Sequence, residues 1–120
     1  MMHNDLYRQA MRQSSGDVIA DLVRLLTAPL VAYVLGLSDL AILAQWQRDG
    51  VPDDRPQAQA RLRTMHLACL LVGRDDDDAT TRAFFVGMAP ELGDTSPARA
   101  VQEDRFEDAI MAARAFAAIG

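Results

Sequence analysis

The side chains able to do covalent or metal chemistry are few, and their spacing argues against most of it. The single cysteine, Cys69, sits inside the apolar run HLACLLV, where a thiol behaves as a small hydrophobe rather than a nucleophile. His3 and His66 have no partner at catalytic or ligand spacing. The run Asp75 to Asp78 is dense in carboxylate, yet a calcium loop needs alternating oxygen ligands, a turn glycine and a distal glutamate. Consecutive aspartates suit a solvated helix start instead. There is no phosphate-cradling loop, nucleophile elbow or paired-cysteine zinc pattern. Neither catalysis, nor a metal, nor a cofactor is expected. What remains is recognition of another macromolecule.

Charge narrows the class of partner. The chain has 120 residues, half of them hydrophobic, and a net charge of −5. That is enough for one domain, or two small helical subdomains sharing a core, without disulfides. Acid is concentrated late: residues 75–120 hold ten Asp and Glu against four Arg. Residues 51–74 reverse the balance, with four Arg against two Asp. A general nucleic-acid coat would be basic overall, so phosphate is offered only a local patch. The acidic C-terminal half suits a basic protein partner. A lone cysteine, no leader-like opening and no apolar stretch near the roughly 20 residues of a membrane span predict a soluble, cytoplasmic protein.

The elements that must position any recognition surface are helical, because apolar residues recur at three-to-four spacing and nowhere alternate. NDLYRQAMRQS reads as a first helix capped by Asn4. GDVIADLVRLLT follows, with Val18, Ile19, Leu22, Val23 and Leu26 on one face. APLVAYVLG carries Pro29 in its first turn and stops at Gly36. Ser38 is expected to cap DLAILAQWQR, which ends at Gly50, and GVPDDRP is a loop. PQAQARLRTMHLACLLVG runs from Pro56 to Gly73 with Leu62, Met65, Cys69 and Val72 as its core stripe. RDDDDATTRAFFVG starts acidic, which suits a helix N-terminus. Ser96 and Pro97 open a short helix. Asp104 with Glu107 reads as a capping box for RFEDAIMAARAFAAI. The expected fold is all-α, with six or seven short helices.

Residues 29–48 have the order of a helix-turn-helix: a helix with Ala32, a turn at Gly36, apolar Leu37, a Ser38 cap, and a second helix carrying Trp46. An ordinary helical hairpin has the same pattern. The second helix presents Asp39, Leu40, Ala41, Leu43 and Ala44 where base-reading side chains are wanted. Only Ser38, Gln45, Gln47 and Arg48 remain for DNA, with Arg55, Arg61 and Arg63 for the phosphate backbone.

The segment FFVGMAPELGDTSP is a shaped break. Pro90 fixes one backbone angle, Gly93 can take a positive one, and Ser96-Pro97 relaunches a helix. Such a segment loses few conformations on folding and presents a rigid edge to a partner at low entropic cost. A connector between core helices would have the same shape.

From Arg82 to Ala117 the chain resembles the C-terminal toxin-binding domain of the Xre/MbcA/ParS-type antitoxins. Phe84 and Phe85 stand at that family's aromatic helix end, and Pro90, Leu92 and Gly93 in its turn. Ser96 and Pro97 stand at the restart, and Ala112, Ala113, Arg114, Ala115 and Phe116 in the Ala-rich final run. Ala89 stands where the family usually has asparagine, and Asp94 replaces a second glycine. The hairpin at 29–50 is similar to the family's Xre-like N-terminal part.

The resemblance implies an Xre-like region over 1–73 and a toxin-binding region over 74–120. It implies a homodimer and a RES-domain, NAD-consuming toxin as partner, neutralised by occlusion of its active site, with autorepression at an operator through the helix-turn-helix. Partner contacts are expected from Phe84, Phe85, Pro90, Leu92, Gly93, Ser96, Pro97, Glu103, Asp108 and Arg114. The alternatives are a DNA-binding regulator without a toxin and an orphan helical interaction protein.

Overall fold

The computed structural model of the chain describes residues 14–73 and 78–119. The helix expected after Asn4, His3, and Asp75 to Asp77 lie outside the described residues. Among those described the fold is all-α: seven α-helices, one 3-10 turn and no strand. No helix among them is long and apolar enough to cross a membrane.

Ser14 starts α1 (Ser15–Leu26), its hydroxyl accepting the Asp17 amide at 3.1 Å. This N-cap satisfies one of the donors that a helix start leaves free. Val18, Ile19, Leu22 and Leu26 are buried as their spacing predicts, while Val23 is half-buried at the edge of the stripe. A single residue, Thr27, joins α1 to α2 (Ala28–Leu35), and its backbone lies at φ 92°, ψ 152°. Gly36 closes α2 in the left-handed region.

The next helix, α3 (Leu40–Asp49), corrects one expectation. Its cap is Asp39, not Ser38: Asp39 is extended, and its carboxylate accepts the Ala41 amide at 2.8 Å. Leu43 and Trp46 turn inward, and Gly50 ends the helix. α1 and α3 meet at close quarters. A Cβ on Gly16 would lie 2.5 Å from the Gln47 carbonyl oxygen, so only glycine lets the two backbones approach this far. Beside it the Ser15 hydroxyl accepts the Val51 amide at 2.8 Å.

α4 (Pro56–Val72) is the central post. Its predicted stripe of Leu62, Met65, Cys69 and Val72 is buried, with Ala58 and Ala68 beside it. α4 packs most extensively against the last helix, α7 (Phe106–Ile119). That helix turns Ala109, Ala112 and Ala113 inward, small residues that let the axes come close. Between them lie α5 (Asp78–Val86), a 3-10 turn at Pro90–Leu92 and α6 (Pro97–Gln102). One hydrophobic cluster runs from Val18 to Ala113, drawing on residues before and after position 73.

The capping box expected at Asp104 and Glu107 does not form as read. Asp104 lies at φ 65°, and its carboxylate accepts from Arg61 instead. α7 starts two residues later, with the Arg105 carbonyl accepting the Ala109 amide.

Candidate partner-binding surface

The break between α5 and α6 is a closed, hydrogen-bonded bend. Gly87 donates to the Ala83 carbonyl, finishing α5. The Ala89 amide donates to the Thr95 carbonyl at 3.1 Å, pairing the two ends of the bend. The Ala89 carbonyl in turn accepts from Leu92 at 2.9 Å and from Asp94 at 3.3 Å. Gly93 and Asp94 both take left-handed backbone, at φ 70° and 63°. Asp94 stands in the second of these positions because aspartate tolerates that region better than most residues with a Cβ. The Ser96 hydroxyl then accepts the Arg99 amide at 3.1 Å and launches α6.

The aromatic pair does not form the contact surface. Phe85 is fully buried and Phe84 nearly so, and their rings meet edge to face at 5.2 Å. Phe84 makes a similar contact with Phe116, fastening the end of α5 to the end of α7. Leu92 and Pro97 are interior as well. These four residues, expected to touch a partner, shape the bend from within. The reason is helical spacing: Thr81, Phe84 and Phe85 share the face of α5 that turns to the core.

The outward face of the bend includes Pro90 and Gly93, which were expected there, and other residues that the sequence reading passed over. Val86 is 62 % exposed and Met88 69 % exposed. Pro90, Glu91, Gly93 and Asp94 are exposed around them. Met111 and Ile119 are open on α7. No spacing marks Met88 as exposed: it lies four residues after Phe84 and would face inward if α5 continued, but the helix stops at Val86 and the bend turns it out. Of the charged residues expected at the surface, Glu103 pairs with Arg99 at 3.2 Å and Asp108 with Arg105 at 3.1 Å. Arg114 is exposed and Ser96 half-buried. Glu91 and Asp94 make no ion pair with any described residue, so the rim of the bend keeps its negative charge.

At the other end, the axes of α2 and α3 turn by 89° across four residues. Ser38, Gln45, Gln47, Arg48, Arg55 and Arg63 are exposed there. Arg61 is not free for phosphate. Its guanidinium is bound to Asp104 and to the Leu35 carbonyl, with most of its side chain covered.

A groove of about 430 Å³ separates α1 from α4, with Leu22, Leu25 and Cys69 among its walls and Asp21, His66 and Asp78 at its rim. Burial pushes the Cys69 thiol up to about 12, so it holds its proton at neutral pH. Among the described residues no group of three His, Cys, Asp or Glu side chains converges as a metal site would require. Set beside protein-family models, curated proteins and solved structures, the chain matches none.

Proposed function

We propose that the chain is a toxin-neutralising binding protein whose bend and last helix dock on a RES-domain toxin and block access to its active site. The observation that carries this reading is the bend itself. It is braced from inside by Phe84, Phe85 and Leu92, and it offers Val86, Met88 and Pro90 on an acidic rim of Glu91 and Asp94. Exposed apolar side chains on a pre-ordered backbone bind at low conformational cost. Negative charge around them steers toward a basic mouth, which a site for a dinucleotide phosphate presents. Inhibition of this kind needs occlusion and no chemistry.

The test is co-expression with a RES-domain toxin encoded beside this chain. Restored growth, a complex that survives gel filtration, and loss of NAD consumption in that complex are the expected results. Full NAD consumption in the presence of excess folded chain overturns the reading.

A second reading, a DNA-binding regulator, draws support from the right-angled α2–α3 pair. Helix-turn-helix motifs cross at about 90–120° with a glycine in the turn. Against it stand the exposed alanines of α3 and the Asp39 carboxylate at its start, where phosphate would approach. A salt-sensitive mobility shift on the DNA upstream of its own gene would favour this second reading.

A further inference from the structure

The groove between α1 and α4 has apolar walls, with Leu22 and Leu25 on α1 and Leu70 on α4. Leu70 is 60 % exposed, more than any other described leucine. Asp21 and Asp78 stand at the rim, with Arg24 and His66 beside them. Arg24 is bound to Asp21 at 2.9 Å, whereas Asp78 makes no ion pair with any described residue. The rim is acidic. Asp17, exposed one turn before Asp21, adds to that charge.

The chain enters α1 on the side that looks into this groove. A helical rotation of about 100° per residue brings Ser14, Asp17, Asp21 and Leu25 into one arc of about 80°. Ser14 itself is extended, at φ −60° and ψ 143°, so the residues before it do not continue the axis of α1. In the sequence those residues complement the groove. Leu6, Tyr7, Ala10 and Met11 recur at helical spacing, and Arg8 and Arg12 outnumber Asp5. A helix from Asn4 to Gln13 spans about 15 Å, the same length as α1 from Ser15 to Leu25. On such a helix Arg8 and Arg12 follow Met11 round the edge of the apolar arc.

We propose that residues 4–13 fold back on α1 as a helix and occupy this groove. Leu6, Tyr7 and Met11 cover Leu25 and Leu70, and the two arginines turn to the acidic rim. Two arguments commit the groove to this segment. Its basic edge matches the charge of the rim. A turn at Gln13 and Ser14 tethers it beside the groove at an effective concentration of about millimolar, which a separate molecule would have to exceed. The groove lies at the His66–Gly73 end of α4. The bend lies toward the other end, where Arg105 donates to the Leu92 carbonyl and Arg61 holds Asp104. The closure asks nothing of a toxin, so its failure and that of the antitoxin reading are separate results.

A nitroxide label on Gln9→Cys, on the polar side of the segment, tests this by NMR on the full chain with Cys69→Ala to leave one thiol. The amide signals of Leu25 and Leu70 should be lost, while those of Glu91 and Asp94 in the bend remain. A mixed sample, with the nitroxide and the isotope label on different copies, should show no such loss. Leu6→Asp combined with Met11→Asp should restore the Leu25 and Leu70 signals and leave the spectrum of the bend unchanged, which separates release of the segment from unfolding. The proposal is overturned if Leu25 and Leu70 keep their signals in the labelled chain. It is overturned equally if the loss passes between copies, which would give the groove to a second molecule, or if it survives the paired aspartates.

Discussion

The guanidinium of Arg61 holds the carboxylate of Asp104 with Nε donating to Oδ1 at 2.9 Å and Nη2 to Oδ2 at 3.4 Å. Its third arm donates to the Leu35 carbonyl at the end of α2, and Gln57 adds a contact to Asp104 at 3.3 Å. One side chain on α4 thereby joins the right-angled helix pair to the turn that opens α7. A fork that matches a carboxylate in this way is an arginine property that lysine lacks.

Removing either partner leaves the other mostly covered and without its charged partner. Asp104→Ala should therefore cost about 1–3 kcal/mol in urea unfolding. Asp104→Asn should cost less, since asparagine keeps an acceptor and tolerates left-handed backbone. A double-mutant cycle with Arg61→Ala should return a coupling of about 1 kcal/mol or more. Additive single effects would mean that the clamp contributes nothing.

Thr27 holds φ 92° and ψ 152°, a region that belongs almost solely to glycine. Its side chain is exposed, so little packing is lost on truncation. Strain of this kind is worth about 1–3 kcal/mol, against about 0.5–1 kcal/mol for the greater freedom of glycine in the unfolded chain. Thr27→Gly should raise the urea midpoint. Thr27→Ala, which retains a Cβ, should not. A lower midpoint for the glycine variant would place the strain elsewhere.

The contrast between Leu62 and Asp104 tells what was legible. Leu62, Met65, Cys69 and Val72 read as a core stripe because three-to-four spacing reports a buried helix face directly. Gly36 and Gly50 read as stops because those helix ends need the positive φ that glycine supplies. Asp104 reads as a local cap because its partner Arg61 is far away in sequence, and no local pattern reports a distant ion pair. Ser38 and Asp39 offer side-chain oxygens one residue apart, and only backbone angle decides between them. The bend is legible as a bend, but its inside and outside are not. That division depends on where α5 stops, at Val86, which no local pattern in the sequence reports.

Val86 and Met88 should separate binding from folding. Met88→Asp or Val86→Asp should leave the urea midpoint within about 0.5 kcal/mol of the parent, as exposed substitutions do. The same changes should weaken a toxin complex about tenfold or more, since a charge would enter its desolvated centre. Phe85→Ala is the opposite case. It should cost about 3–5 kcal/mol of stability through the cavity it leaves, whatever it does to binding. Complex formation unchanged by Met88→Asp and Val86→Asp together would remove the bend from the interface.

Cys69 predicts an alkaline limb in stability. Its thiol is buried and pushed up to about 12, whereas an unfolded chain ionises it near the ordinary value of 9.0. Below pH 9 both states keep the proton, and the thiol adds no pH dependence. Between 9 and 12 the unfolded state binds fewer protons than the folded one, so stability falls as pH rises. The slope at full effect is about 1.4 kcal/mol per pH unit. Cys69→Ala removes this limb at the cost of a small cavity, so the two chains should differ most at pH 7 and converge as pH approaches 11. The free thiol should also resist alkylation at neutral pH in the folded state and react once urea opens the core. Parallel stability curves for the two chains between pH 9 and 11 would mean that Cys69 meets solvent in the folded protein, and its burial against α1 would have to be given up.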